Sequence, residues 1–288
     1  MRIERMLNDA DMGNPEKDTM ARLCMDADSP YPAPSAVVVA AHPDDEVIGA
    51  GGRVPRLRDA AFVHVTDGAP RSMHDAIASG FTAREEYALA RRGELAAALG
   101  LAGVRPEQCV EVGIVDQEAS LYLHELSCIL AGLLGEINPD VVLTHPYEGG
   151  HPDHDATAFA VTAACMLLEK RGIAPPLRME FTSYHIGCNG GMKVFEFLPC
   201  DGCTVMTIVL SDDAQSLKRK MLDSFVSQKR VLCAFPALIE RFRRAPVYDF
   251  TLPPHPGRLY YERFAWSMSG KSWRALARRA LMKLGIKG

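Results

Sequence analysis

The chain lacks a basic excess: 32 Lys and Arg face 36 Asp and Glu in 288 residues, a net charge of −4. A protein that neutralises phosphates needs surplus cations, so no nucleic-acid partner is expected. It also lacks an uninterrupted apolar run of about 18 residues, the usual mark of a transmembrane helix. The first 33 residues have mixed charge, no leader-type apolar stretch and a Pro-rich end at Pro30, Pro32 and Pro34. They read as a flexible N-terminal extension and not as a signal peptide. A dinucleotide fingerprint is missing too, because Gly49-Ala50-Gly51-Gly52 does not have GxGxxG spacing. Those glycines more simply let a helix pack close to a sheet.

The 8 cysteines are scattered, several inside apolar runs, where a free thiol behaves as a small hydrophobe. That pattern suits a reducing compartment and hence a cytoplasmic location. Cys200 and Cys203 have CxxC spacing, compatible with half a zinc site or a redox pair. No second CxxC accompanies them, so a turn with two incidental thiols is expected.

Histidines are few, 9 in all, and their placement is therefore informative. Val37-Val38-Val39-Ala40-Ala41 reads as a strand buried on both faces and runs directly into His42-Pro43-Asp44-Asp45-Glu46. Val141-Val142-Leu143-Thr144 is a second such strand, followed by His145-Pro146-Tyr147-Glu148-Gly149-Gly150 and then His151-Pro152-Asp153-His154. Open α/β sheets bind ligands at strand carboxyl ends. Pro43 and Pro152 stand where helices can begin and hold the preceding histidine extended. His42, Asp45 and one histidine of the second motif could share a divalent metal. Three protein ligands with a fourth position for water is the pattern of a catalytic zinc site.

Ala41-His42-Pro43-Asp44-Asp45-Glu46 together with His151-Pro152-Asp153-His154 resembles the paired signature of the LmbE-like (PIG-L-type) zinc deacetylases. These remove acetyl groups from N-acetylglucosamine conjugates. The likeness extends through Val65-Thr66-Asp67-Gly68-Ala69-Pro70, Arg91-Arg92-Gly93-Glu94-Leu95 and Asn138-Pro139-Asp140-Val141-Val142, covering roughly residues 36 to 185. It implies zinc, or iron(II), on His42, Asp45 and His154, with Asp44 as general base. It further implies that His151 stabilises the oxyanion and that Asp153 orients His151. The implied substrate is a small aminosugar conjugate whose acetyl group leaves the amide nitrogen. An amide is a poor electrophile, so such a site needs an activated water and a carboxylate to take its proton. The alternatives are a zinc hydrolase of a different amide or acyl group, and a sugar-binding relative without turnover.

The remaining pattern alternates strands and helices: a strand over Ala61 to Thr66, a loop to about Gly80, a helix over Phe81 to Leu99 with Thr82 and Glu85 as a capping box, and a strand over Cys109 to Ile114. Helices follow over Leu121 to Ile137 and Asp155 to Lys170. This order predicts an α/β fold, a Rossmann-like mainly parallel sheet flanked by helices, in a single domain over residues 34–270. Additional strands are expected at Met179 to His185, Val194 to Phe197 and Thr204 to Leu210. A helix is expected over Asp212 to Cys233, with Lys218-Arg219-Lys220 on a solvated face, then a wrapping segment from Pro246 to Pro256. Arg71, His74 and Asp116, in sheet-end loops, are candidate substrate contacts. Arg91 and Glu94 read as a surface pair on their helix. Tyr184 and His185 end a strand and read as core.

Residues 271–288 form a basic amphipathic helix: Lys271, Arg274, Arg278, Arg279, Lys283 and Lys287 alternate with Trp273, Leu276, Leu281 and Leu284. It either docks on the domain or leans on anionic lipid as a peripheral contact at the inner membrane surface. Composition is silent on oligomeric state.

Overall fold

The computed structural model describes residues 15–25, 29–264 and 266–287. Most of the expected N-terminal extension, residues 1–14 and 26–28, lies outside the described residues. Its described part is a helix, α1 (Pro15–Cys24), whose Leu23 and Cys24 are buried in the core. The strand β1 (Ala36–Ala40) is buried at every position, as its unbroken apolar run requires of a strand covered on both faces. The chain continues through α2 (Asp45–Ala50), β2 (Ala61–Thr66), α3 (His74–Ala78), α4 (Arg84–Gly100), β3 (Cys109–Ile114), α5 (Leu123–Ile137), β4 (Val141–Thr144) and α6 (Pro152–Lys170). After it come β5 (Leu177–Phe181), β6 (Tyr184–Ile186), β7 (Met192–Val194), β8 (Val205–Val209), α7 (Asp212–Asp223), α8 (Lys229–Leu232), β9 (Ile239–Arg244) and α9 (Gly270–Leu284).

Seven strands form one sheet in the order β3-β2-β1-β4-β5-β9-β8, and β6 and β7 make a separate hairpin. The first five are parallel; β9 joins β5 antiparallel and β8 closes the edge antiparallel to β9. Val37 pairs with Ala61 on one side and Val142 on the other, which sets β1 and β4 side by side at the sheet centre. The two His/Asp motifs therefore emerge from adjacent strands at the same edge. One apolar layer packs α1, α2, α4 and α7 against the sheet, and the other packs α5, α6 and α9. Gly49 lies so close to the sheet that a Cβ there would sit 2.2 Å from the Phe181 ring. The close helix–sheet packing expected of these glycines is thus observed.

Several expectations are corrected. The loop after β2 contains a short helix, α3, and α4 starts at Arg84 with no side-chain cap, so Thr82 and Glu85 form no capping box. The helix expected to Cys233 breaks after Asp223, and β7 ends at Val194 instead of running on to Phe197. Lys218 is buried and not solvated: Nζ donates to Glu240 Oε1 and to Ile48 O, both at 2.8 Å. The strand β9, Ile239-Glu240-Arg241-Phe242-Arg243-Arg244, was not expected because four of its six residues are charged. Cys200 and Cys203 are joined as a disulfide. By length and composition alone, Ala119–Ile137 could cross a membrane, with a mean hydropathy of 1.2. Its Leu126, Leu130 and Leu134 are buried among α6 and α9 side chains, as in a domain helix. The face of α9 carrying Trp273, Ala277, Ala280 and Leu281 is buried too, and Trp273 Nε1 donates to Pro152 O at 3.0 Å. Any lipid contact would fall to its basic residues and to the exposed Met282.

Candidate active site

Beyond β1 the chain turns sharply: Asp44 has φ 138°, a value L-residues rarely adopt, just before α2 begins. The turn folds Asp45 back under His42, whose backbone N–H donates to Asp45 Oδ2 at 2.8 Å. Asp45 is the hub. Its Oδ2 is 3.0 Å from His42 Nδ1 and 3.4 Å from His145 Nε2, and its Oδ1 is 3.2 Å from His154 Nε2. The second motif reaches this point because Pro152 opens α6 and His151 caps it, its Nδ1 accepting from Asp153 N at 3.1 Å. Gly150 permits the approach, since a Cβ there would meet Tyr184 O at 2.0 Å.

Asp44 points away from this hub to Arg91 of α4. Arg91 Nη2 donates to Asp44 Oδ2 at 2.8 Å and to Pro43 O at 2.6 Å, while Nη1 donates to Gly68 O at 2.8 Å. The expected surface pair is therefore corrected: Arg91 is buried against Asp44, and Glu94 accepts from Ser227. Burial pushes the Asp44 carboxyl up to about 8, with Arg91 pulling the other way.

His42 Nε2 faces two further carboxylates, Asp116 Oδ1 at 3.2 Å and Asp153 Oδ2 at 3.4 Å. Burial works against its charged form, yet Asp116 and Asp45 carry the imidazole well above its ordinary value. Burial also acts against ionised Asp45, and the surrounding His154, His145 and His42 nevertheless hold it well below the usual carboxylate range. Burial, helped by the neighbouring His42, holds His151 well below its ordinary value. The Asp153 carboxylate lies 3.9 Å from His151 Nδ1 and instead accepts the N–H groups of Gln117 and Ala119, so its direct hold on His151 is through the backbone. Of the three candidate substrate contacts, Asp116 joins the cluster, also lying 3.9 Å from His151 Nε2, and His74 is exposed at the start of α3. Arg71 is exposed and pairs with Glu118.

The donor set fits a divalent cation. His154 Nε2 and Asp116 Oδ1 are buried and, although 3.2 Å from Asp45 Oδ1 and His42 Nε2, make no well-aligned hydrogen bond among the described residues, an arrangement that is costly unless a cation or proton lies among them. His42, His151 and His154 can converge on one ion, as can Asp45, His145 and His154. Imidazole and carboxylate together suit zinc, and iron(II) takes the same ligand types.

His145 was not singled out from the sequence, although it follows β4 just as His42 follows the β1 run. Its ring stacks on His154 at 4.1 Å between centroids, and its Nε2 accepts from Ala41 N at 3.0 Å. Tyr184, read as core, stands 5.1 Å from the His154 ring.

A mostly parallel sheet with a metal-capable His/Asp group at the carboxyl ends of its central strands defines a Rossmann-like α/β protein. The model of the PIG-L family, described as GlcNAc-PI de-N-acetylase, matches residues 37–165. Teicoplanin deacetylase Orf2, in a zinc-inhibited form, is similar at 16% identity and a TM-score of 0.55, over 73% of this chain and 97% of that one. N,N′-diacetylchitobiose deacetylase from Pyrococcus horikoshii is similar at 22% identity and a TM-score of 0.52, over 80% and 92%. The 4-carboxy-2-hydroxymuconate hydratase GalB of Pseudomonas putida also matches, at 17% identity and a TM-score of 0.50, over 75% and 98%. No curated protein sequence matches the chain. At these identities the structural likenesses establish the fold, and with the family they support a deacetylase.

Proposed function

We propose that this protein is a zinc-dependent N-deacetylase that removes the acetyl group from an N-acetylglucosamine-type conjugate. The observation that carries the reading is Asp45 shared between His42 and His154, with the buried His154 Nε2 making no well-aligned hydrogen bond among the described residues. His42, Asp45 and His154 would hold the ion, which when bound lowers the pKa of a water to about 7. Asp44, turned out of the ligand set, takes a proton from the attacking water. Arg91 fixes the carboxylate while it does so. His151 Nε2 faces the oxygen on which charge develops, and its stabilisation counts because it strengthens in the transition state. Asp153, anchored by two backbone N–H groups, braces the His42 side of the cluster and, through its own N–H, fixes the His151 ring. Asp116 is placed to meet a substrate hydroxyl.

Amine release from N-acetylglucosamine glycosides, with and without a chelator, tests the reading. Chelator-sensitive amine release is expected, and amine that persists in metal-free protein would sink it. A fold neighbour that is a hydratase makes amine, not metal binding alone, the deciding product. Hydrolysis of another amide or acyl group would appear as release from other substrates only. A sugar-binding relative would show saturable affinity and no amine. We place the protein in the cytoplasm on the strength of its six free cysteines, with peripheral contact at the inner membrane surface resting on the cations of α9.

A further inference from the structure

From the catalytic histidines a series of aromatic rings runs outward. The His154 ring meets Tyr184 at 5.1 Å, Tyr184 meets Tyr260 at 5.8 Å, and Tyr260 meets Phe264 at 5.4 Å. Phe264 stacks on Trp266 at 4.7 Å and 24°, and Trp266 returns to His151 at 4.8 Å. His151 and His154, 5.2 Å apart, close the circuit. Single exposed aromatics need no explanation, but a contiguous wall starting at reactive groups does. The wall is held in place: Tyr260 N donates to Gly149 O at 2.9 Å in the loop that leads to His151, and Glu262 Oε1 accepts from Gly270 N at 2.7 Å. Phe264 is 42% exposed, so one end of the stack faces solvent.

Tyr184, Tyr260, Phe264 and Trp266 all lie outside residues 37–165, the stretch that the family model matches. The chemistry common to the family and the aromatic wall of this chain thus come from different segments. A ring face is what stacked aromatics recognise, through offset or edge contacts at 4.5–7 Å.

We propose that Phe264 and Trp266, backed by Tyr260 and Tyr184, form a platform for the ring that adjoins the acetamido sugar, so that the substrate class is a glycoside whose aglycone presents a ring face. This rests on the deacetylase reading for the position of the sugar, and on the ring circuit for the platform. The ring face can be aryl or a second pyranose, and the choice of probes separates them.

The chain has 2 tryptophans, and Trp273 is fully buried, so fluorescence quenching reports on Trp266. The test uses the full chain loaded with zinc and the methyl, p-nitrophenyl and N-acetylglucosaminyl glycosides of N-acetylglucosamine. Binding is read by quenching and turnover by amine release. In Phe264→Ala and Trp266→Ala, kcat/KM for the ring-bearing glycosides relative to the methyl glycoside should fall about tenfold. Trp266→Phe, which keeps a ring, should restore most of that ratio while abolishing the quench. A loss confined to the p-nitrophenyl glycoside assigns an aryl aglycone, and a loss with both assigns any ring face. Amine release with an unchanged ratio in both alanine variants overturns the platform and leaves the deacetylase standing. Quenching by ring-bearing glycosides without amine from any of them overturns the deacetylase and leaves the platform.

Discussion

Asp44→Asn separates the proposed catalytic role of Asp44 from its observed structural one. Chemically, the amide is nearly isosteric but cannot take a proton, and a positioned base contributes about 10²–10⁴-fold to turnover. Structurally, the substitution removes the charge facing Arg91 but keeps an oxygen where Oδ2 accepts from Nη2 at 2.8 Å. Deleting one partner of a buried ion pair outright costs about 3–5 kcal/mol. With an acceptor retained, the cost should be closer to that of one hydrogen bond to a charged group, about 1.5–3 kcal/mol. Asparagine also tolerates positive φ better than most residues, so the turn at φ 138° should survive.

The expected variant is folded, holds metal like the parent and melts lower by roughly 3–12 °C for a chain of this size. Its amine release should fall by at least about a hundredfold. Thermal melts, metal content and turnover on one preparation read these independently. Arg91→Met serves as the comparison, and the double variant should cost less than the sum, because both members of the buried pair are then gone. Parental turnover in Asp44→Asn would refute the base. Loss of metal in that variant would instead make Asp44 a ligand.

Replacing His154 by Ala should abolish stoichiometric metal binding, measured by elemental analysis after dialysis, and an unchanged content would remove His154 from the ligand set. Lys218→Met leaves Glu240 buried with only Gly52 N and the more distant Arg53 to face it, and should cost about 3–5 kcal/mol in a denaturant melt. Adding Glu240→Leu should recover part of that loss, and strict additivity of the two would contradict the pairing. Denatured without reductant, the protein should show 6 reactive thiols, since Cys200 and Cys203 are joined. Full reduction should raise the count to 8, and a count of eight before reduction would dispose of the disulfide.

The strands that carry the site were legible because they are parallel and buried on both faces, which leaves an unbroken apolar run in the sequence. The strands β2 and β4 fall at the expected bounds for that reason, whereas β3, an edge strand with exposed positions, keeps its bounds without being buried on both faces. The carboxyl ends of β1 and β4 were legible because a His-Pro-Asp sequence follows each run, at once after the β1 run and across a six-residue loop after β4. The strand β9 was not, though it lies inside the sheet between β5 and β8. Its Glu240 and Arg243 are buried by meeting Lys218 of α7 and Glu180 of β5, respectively. A charged residue announces neither its burial nor its partner, and these partners lie 22 and 63 positions away.

The same limit explains Arg91, which the local pattern assigns to a surface pair with Glu94. Helical spacing permits that pair at little gain. The fold offers Arg91 a buried carboxylate and two carbonyls 23 to 48 positions away, and three charge-assisted bonds in a dry site outweigh one exposed contact. His145 is the converse. It had a local signal, the strand-end position it shares with His42, but the bond that places it comes from Ala41 N, 104 positions earlier. In both cases sequence supplies the residue type and the edge of the sheet. Which side chains meet at Asp45, and which carboxylate is turned away from it toward Arg91, follows from contacts that only the packed strands create.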